Sequence, residues 1–139
     1  MREILFKAKR IDNGEWVEGY YTECSGKTFV GIDTSSMFEI FCAPVIKWFR
    51  VDPKTLCQFT GLCDKNGKRI WENDILMAHL DESYPEDVTY MTVKWNFAGF
   101  VAYEAGTDGE YLDEFDLEHF EAVGNIFDNK ELLQEESDE

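Results

Sequence analysis

The sequence predicts an all-β, strand-dominated fold, and three observations lead there. Short runs of alternating apolar and polar residues recur along the 139 residues, separated by turn formers such as Asn-Gly, Ser-Gly and Asp-Pro. Aromatic residues make up 15% of the chain, and aromatic side chains favour strands and large contact surfaces. No long amphipathic helical pattern appears anywhere.

Residues 3 to 8 alternate through Ile4, Phe6 and Ala8 and read as the first strand. Asp12-Asn13-Gly14 supplies a turn, because Asn and Gly tolerate positive φ. Glu15 to Thr22, with Trp16, Val17, Tyr20 and Tyr21, is the return strand. Ser25-Gly26 turns the chain into Thr28 to Ile32. Met37 to Cys42 is a short strand candidate, and Ala43-Pro44 breaks it or places it at an edge. Val45 to Val51 is rich in β-branched and aromatic residues and stops at Asp52-Pro53. The alternation is clearest from Val88 to Trp95, where Met91, Val93 and Trp95 share one face and Tyr90, Thr92 and Lys94 the other. Asn96 to Gly99 is a turn, and Gly99 to Glu104 returns. Gly106 to Gly109 is a loop, and Leu112 to His119 is a helical turn or an irregular crossing. Phe120 to Phe127 is the last strand. Residues 130 to 139 hold a short helical piece and an acidic end expected to be disordered.

The stretch TGLCDKNGKRIWENDIL, residues 60 to 76, combines two turn signals with several charges. Asn66-Gly67 between strand candidates predicts a type I′ hairpin, with Lys65 and Lys68 projecting into water. In Glu72-Asn73-Asp74, Asn73 is the residue suited to positive φ. Asp74 is placed to accept hydrogen bonds from nearby amides. The alternative, in which Asp64, Glu72 or Asp74 is a general acid or base, needs a nucleophile, a paired carboxylate or a metal at a recognisable spacing. No such partner can be named. The sequence contains no GxSxG, P-loop, HExxH or GxGxxG motif. The expectation is therefore a protein without catalytic residues and without a cofactor.

The formal charge of −16 is unevenly spread. No Lys or Arg occurs from Trp95 to Asn129, while nine acidic residues fall between Glu104 and Asp128, and the tail QEESDE extends the same sign. Such a field argues against direct nucleic-acid binding and favours basic partners or simple solubility. No run of about eighteen apolar residues is present, so no membrane-spanning helix is expected. The start, MREILFKAKR, lacks the apolar core of a secretory signal. Cytoplasmic location is the expectation. Cys24, Cys42, Cys57 and Cys63 form no CxxC pair. With only His79 and His119 to add imidazole, no metal site is expected, and the cysteines read as reduced packing residues.

The segment 60 to 76 resembles the TGL-D-NGK-I-EGDI signature of the YopX family of phage and prophage proteins. MREILFKAKR followed by GEWVEGYY is similar to that family's opening. AVGNIFDNKELL, residues 122 to 133, is similar to its closing motif. The positions carrying the resemblance are Thr60, Gly61, Leu62, Asp64, Asn66, Gly67, Ile70, Glu72, Asn73, Asp74, Ile75, Gly124 and Asn125. Asn73 stands where the family usually has Gly, and Lys130 where it often has Pro. The resemblance implies a β-rich fold with an SH3-like small barrel in its later part, and an origin in a temperate phage or prophage. It supplies no catalytic residues, because the family's function is uncharacterised. The implied layout is an N-terminal β region over 1–58, a barrel region over 59–129 and an acidic tail over 130–139.

Two kinds of function fit these residues. One is a non-enzymatic protein-binding module of a phage, acting in the host cytoplasm. Trp16, Tyr20, Trp48 and Trp71 are its candidate anchors, since Trp and Tyr dominate many interfaces. Ordinary strand packing is the plainer role for each, and self-association would use the same surface. The other is an acidic decoy that occupies the nucleic-acid-binding face of a basic host protein through Glu104 to Glu121 and the tail.

Overall fold

The computed structural model describes residues 4–34, 45–79, 88–96, 99–104, 109–112 and 119–134. The strand expected at Met37 to Cys42, the interior of the crossing from Leu112 to His119 and the acidic end after residue 134 lie outside the described residues. So does much of the acidic run between Glu104 and Glu121. The chain divides into two compact units, 1–59 and 60–139. The division falls inside one strand, β5 (Cys57–Cys63).

The first unit is an antiparallel sheet built from β1 (Phe6–Lys9), β2 (Trp16–Cys24), β3 (Lys27–Asp33), β4 (Ile46–Arg50) and the start of β5. Their order is β4-β3-β2-β1-β5. The β2–β3 hairpin closes through Ser25-Gly26, with φ of 54° and 75°. Positive φ at both central residues is the type I′ signature, whose twist suits a two-residue hairpin. Asp52 caps a single 3-10 turn, Pro53–Thr55, by accepting from the Lys54 N–H at 3.0 Å. Ala8, Val17, Val30 and Val51 form the core, with Ile32, Phe49 and Leu56 packed against them. By register these strand residues share one face of the sheet: Ala8 opposes Val17, and Val30 opposes Phe49.

The second unit holds the rest of β5, β6 (Arg69–Trp71) and a five-stranded antiparallel sheet. That sheet contains β7 (Asp74–His79), β8 (Val88–Asn96), β9 (Gly99–Tyr103), β10 (Glu110–Tyr111) and β11 (Phe120–Asn125). The order is β10-β9-β8-β7-β11. Ile70, Leu76, Val93, Phe100 and Ala122 make its core, joined by Leu62, Leu112 and Phe120. A short helix, α1 (Glu131–Gln134), follows. The all-β expectation holds. The small barrel expected in the later part is not closed: among the described strands β10 and β11 end the sheet, and no pairing joins them. β10 has only two residues, too few to carry a closing ladder. Among the described residues no helix is long and apolar enough to cross a membrane.

The charge divides with the units. Residues 1–59 contain eight basic and eight acidic side chains, whereas residues 60–139 contain five basic and twenty-one acidic ones. The whole net charge of −16 therefore belongs to the second unit.

Candidate functional site

Two constellations stand out, one in each unit, and they are of different kinds. The first is a set of turns in the second unit. Thr60, Gly61 and Leu62 lie in β5, where the Thr60 hydroxyl donates to the Ile70 carbonyl at 2.7 Å. Asp64 follows at the head of the β5–β6 hairpin and is 6% exposed. Its Oδ1 accepts from the N–H groups of Asn66 and Lys68, each at 2.9 Å. Its Oδ2 accepts from the Ala122 N–H, also at 2.9 Å. One carboxylate thus shapes a local turn and ties it to β11, 58 residues away.

The turn is not the type I′ that Asn66-Gly67 suggested. Of that pair only Gly67 has positive φ, at 80°. The Gly67 N–H donates to the Asp64 carbonyl at 3.0 Å, and the Asp64 N–H to the Lys68 carbonyl at 2.8 Å. That is a three-residue loop: an ordinary turn followed by a left-handed glycine in a bulge. The Asp64 side chain selects it by binding two amides inside the loop. Burial raises the Asp64 pKa, but the amides of Ala122, Lys68 and Asn66, helped by the Lys68 charge, outweigh burial and hold the carboxyl below its ordinary value.

The second turn of the set joins β6 to β7. Ile70 is fully buried, Glu72 is half-buried, and Asn73 adopts φ 71°, the left-handed conformation expected of it. Asp74 is buried and accepts from the Trp71 N–H at 2.8 Å. The Asn73 N–H donates to the Val93 carbonyl, and the Asn73 carbonyl accepts from the Ile126 N–H. Lys94 Nζ donates to Asn73 Oδ1 at 2.6 Å. Ile75, fully buried, opposes Gly124 in β11, and Asp74 opposes Asn125. The register slips between Ala122 and Gly124. The Asn129 side chain occupies the space a Cβ on Gly124 would need. Asn125 Oδ1 accepts from the N–H groups of Phe127 and Asp128, each at 2.9 Å. The two sequence motifs therefore meet in space, and the side-chain oxygens of Asp64, Asp74 and Asn125 accept from backbone amides. Among the described residues no buried side-chain nitrogen or oxygen lacks a partner.

The second constellation is a surface of the first unit. Tyr20, Gly31 and Trp48 oppose one another in one row across β2, β3 and β4. Directly opposed residues point to the same side of a sheet. Tyr20 is 49% exposed, Trp48 44% and Ile46 40%. The middle glycine explains the arrangement. A Cβ there would lie 2.7 Å from Cε3 and Cζ3 of Trp48 and 2.7 Å from Cγ2 of Ile46, so both side chains rest on the bare backbone. Trp16, farther along β2 on the same face, is half-buried with Lys7 Nζ 4.7 Å and Lys9 Nζ 5.4 Å from its ring centroid. Those distances fit cation–π contacts.

Three of the four aromatic residues named from the sequence are thereby brought to one face. The fourth is a correction: Trp71, in β6, is 4% exposed and offers no surface for a partner. It lies beside the buried Ile70 at the end of a three-residue strand whose first residue, Arg69, is exposed. Sequence reasoning missed Gly31 and Ile46. The signal was a glycine inside a strand, which marks close approach by something else. Cys24 and Cys63 are exposed and Cys57 is buried, all three as free thiols. Among the described residues no three His, Cys, Asp or Glu side chains gather as a metal site.

The chain can now be compared with known proteins. The family model described as YopX protein matches residues 5–134. No curated protein matches the chain. Among solved structures, the crystal structure of protein EF1440 from Enterococcus faecalis is similar, at 20% identity and a TM-score of 0.63. The match covers 96% of this chain and 99% of that one. At that identity the likeness carries the fold alone.

Proposed function

We propose that this chain, which belongs to the YopX family, is a non-enzymatic protein-binding accessory protein of a phage or prophage, acting in the bacterial cytoplasm. One observation carries the reading. Tyr20, Trp48 and Ile46 lie together on one strand face, each at least 40% exposed. Large rings held half in water cost hydration free energy that docking recovers, at about 25 cal/mol per Å² of apolar surface covered. Aromatic anchors of this kind dominate many protein interfaces.

The turn network supports the non-enzymatic part. The best-placed carboxylate, Asp64, spends both oxygens on backbone amides. With its pKa held down by those amides, Asp64 is a weak base, and both oxygens are already taken. The test is affinity capture from bacterial lysate at low and moderate salt, comparing the wild-type chain, Trp48→Ala and a chain shortened to end at Asn129. A partner retained at moderate salt, lost with Trp48→Ala and kept by the shortened chain supports the reading. Capture that ignores Trp48 sinks it.

A second reading rests on the charge division. The second unit carries all of the net −16, and a surface that acidic attracts basic proteins that bind nucleic acid. Under that decoy reading, capture is strong at low salt, vanishes at moderate salt and does not change with Trp48→Ala.

A further inference from the structure

β4 ends its sheet among the described strands, and two bonds fix the phase of its backbone. The Thr34 N–H donates to the Val45 carbonyl at 2.7 Å, and the Val51 N–H to the Thr28 carbonyl at 3.0 Å. In an antiparallel ladder, bonded pairs alternate with unbonded ones. Val45, Lys47, Phe49 and Val51 therefore turn their backbone groups to β3, while Ile46, Trp48 and Arg50 turn theirs away. Arg50 is already met on that side, because its carbonyl accepts from the Ile11 N–H at 3.1 Å. Ile46 and Trp48 present their N–H and C=O groups along an edge that no described strand pairs.

Apart from charge, this edge lacks the devices that blunt a sheet rim. β4 contains no proline, and its register with β3 runs unbroken from the Phe29–Arg50 pair to the Asp33–Ile46 pair. Val45, Ile46 and Trp48 are all exposed. Ile46 and Trp48 lie on one side of β4, and Lys47, between them, lies on the other. Lys47 is exposed, with its ammonium 5.2 Å from the Phe49 ring centroid.

We infer that β4 takes an extended segment of a partner protein as an added antiparallel strand, with an acidic residue facing Lys47 between apolar residues that cover Ile46 and Trp48. This rests on the protein-binding reading above. Backbone bonds to Ile46 and Trp48 hold the segment, and side-chain alternation sets its register. A carboxylate opposite Lys47 makes a favourable cross-strand pair.

The edge itself selects among occupants. A nucleic acid has no alternating row of N–H and C=O groups to offer it. A second copy, pairing β4 against β4 in the antiparallel sense, must set outward-turned residues opposite one another. Trp48 opposite its counterpart brings Ile46 to Arg50, whose carbonyl is taken. Ile46 opposite Trp48 sets the two Lys47 side chains directly against each other, which repels. A segment with an acid at that position avoids both conflicts.

The test is an amide NMR titration of the full chain with a short peptide of alternating valine and glutamate. A valine–lysine peptide is one comparison. The other is the valine–glutamate peptide methylated on its valine nitrogens, the donors that would meet the Ile46 and Trp48 carbonyls. The valine–glutamate peptide is expected to shift the Ile46 and Trp48 amide signals and slow their exchange, and the methylated one to do neither. Lys47→Glu weakens that binding about tenfold and makes the valine–lysine peptide the better ligand. Ile46→Pro removes an outward N–H and no bond to β3, so it abolishes binding in a chain that still folds. Ile46→Ala retains part of the binding, and Lys65→Glu in the second unit changes nothing. Thermal melts identify any variant that simply unfolds.

No binding of the valine–glutamate peptide overturns the proposal. Equal binding of the methylated peptide does so too, since side chains alone then suffice. Indifference to the sign of the charge at position 47 removes the acidic residue and with it the stated occupant. Self-association in sedimentation that Ile46→Pro abolishes overturns it in favour of a second copy. If lysate capture depends on Trp48 while the peptide does not bind, strand addition falls and the protein-binding reading stands. If capture ignores Trp48 and the peptide does not bind, both fall.

Discussion

The two units use polar and aromatic residues in opposite ways. In the second unit, charge and amide groups that look chemical are drawn inward: Asp64, Asp74 and Asn125 are buried and bind backbone amides. In the first unit, aromatic side chains that look like core are left outward, as Tyr20 and Trp48 are. A charge-dense motif can thus be scaffold while a plain strand carries the surface of interest. Burial and hydrogen-bond partners, not residue type, decide which is which.

The largest test of this contrast is removal of the Asp64 carboxylate. Asp64→Ala leaves the amides of Asn66, Lys68 and Ala122 without their acceptor in a buried turn. We expect a loss of about 3 kcal/mol, read by urea unfolding of the full chain. The same group sets a pH dependence. Its folded pKa is lowered, so the unfolded chain holds the proton more tightly. Its stabilisation is fully present above the unfolded carboxylate pKa of about 4 and is lost as pH falls through the folded value. The gap between wild type and Asp64→Asn should therefore narrow below about pH 4. A gap that is constant with pH would mean Asp64 acts through shape alone.

Next in size is Gly31→Val. A branched side chain there displaces Trp48 and Ile46 from the backbone they rest on, at a cost of about 2 kcal/mol by thermal melting. A cost near zero would show that the two side chains are not held where the glycine leaves room. Asn73 gives a smaller effect. Asn73→Ala at φ 71° should cost about 1 kcal/mol, while Asn73→Gly should stay within about 0.5 kcal/mol. Gly relaxes the backbone but gives up the Lys94 bond. Trp48→Ala should also change stability little, by under about 1 kcal/mol, because the ring is half exposed. A much larger loss would make Trp48 a packing residue and remove the contrast between the units.

Much of this was legible in the chain. Alternation from Val88 to Trp95 marked a strand that the structure contains; of the face shared by Met91, Val93 and Trp95, Val93 is in the core, while Trp95 is 47% exposed with its ring edge-on to Phe100 at 5.0 Å. Strands at 16–24, 27–33 and 46–50 lie where β-branched and aromatic runs placed them. What was not legible came from distant partners. The Asp64–Ala122 bond spans 58 positions, and it is part of what makes Asp64 structural. The type I′ geometry belongs to Ser25-Gly26 rather than Asn66-Gly67. A dipeptide does not reveal whether an aspartate two residues upstream will claim the loop's amides. For Trp71, named as a candidate anchor with strand packing as the plainer role, the choice was not legible because a three-residue strand shows no period. The row of Tyr20, Gly31 and Trp48 needs the register of three strands before it becomes a site.

The slip in β11 between Ala122 and Gly124 has a consequence for behaviour at high concentration. β11 is an end strand of its sheet among the described strands. A straight end strand is a template on which another chain can add and so seed a fibre. Val123, the extra residue at the slip, interrupts the row of backbone groups and twists the strand away from flatness. Irregularity at the rim thereby works as a guard against cross-β growth, and it resides in the backbone, where salt that screens charge leaves it untouched.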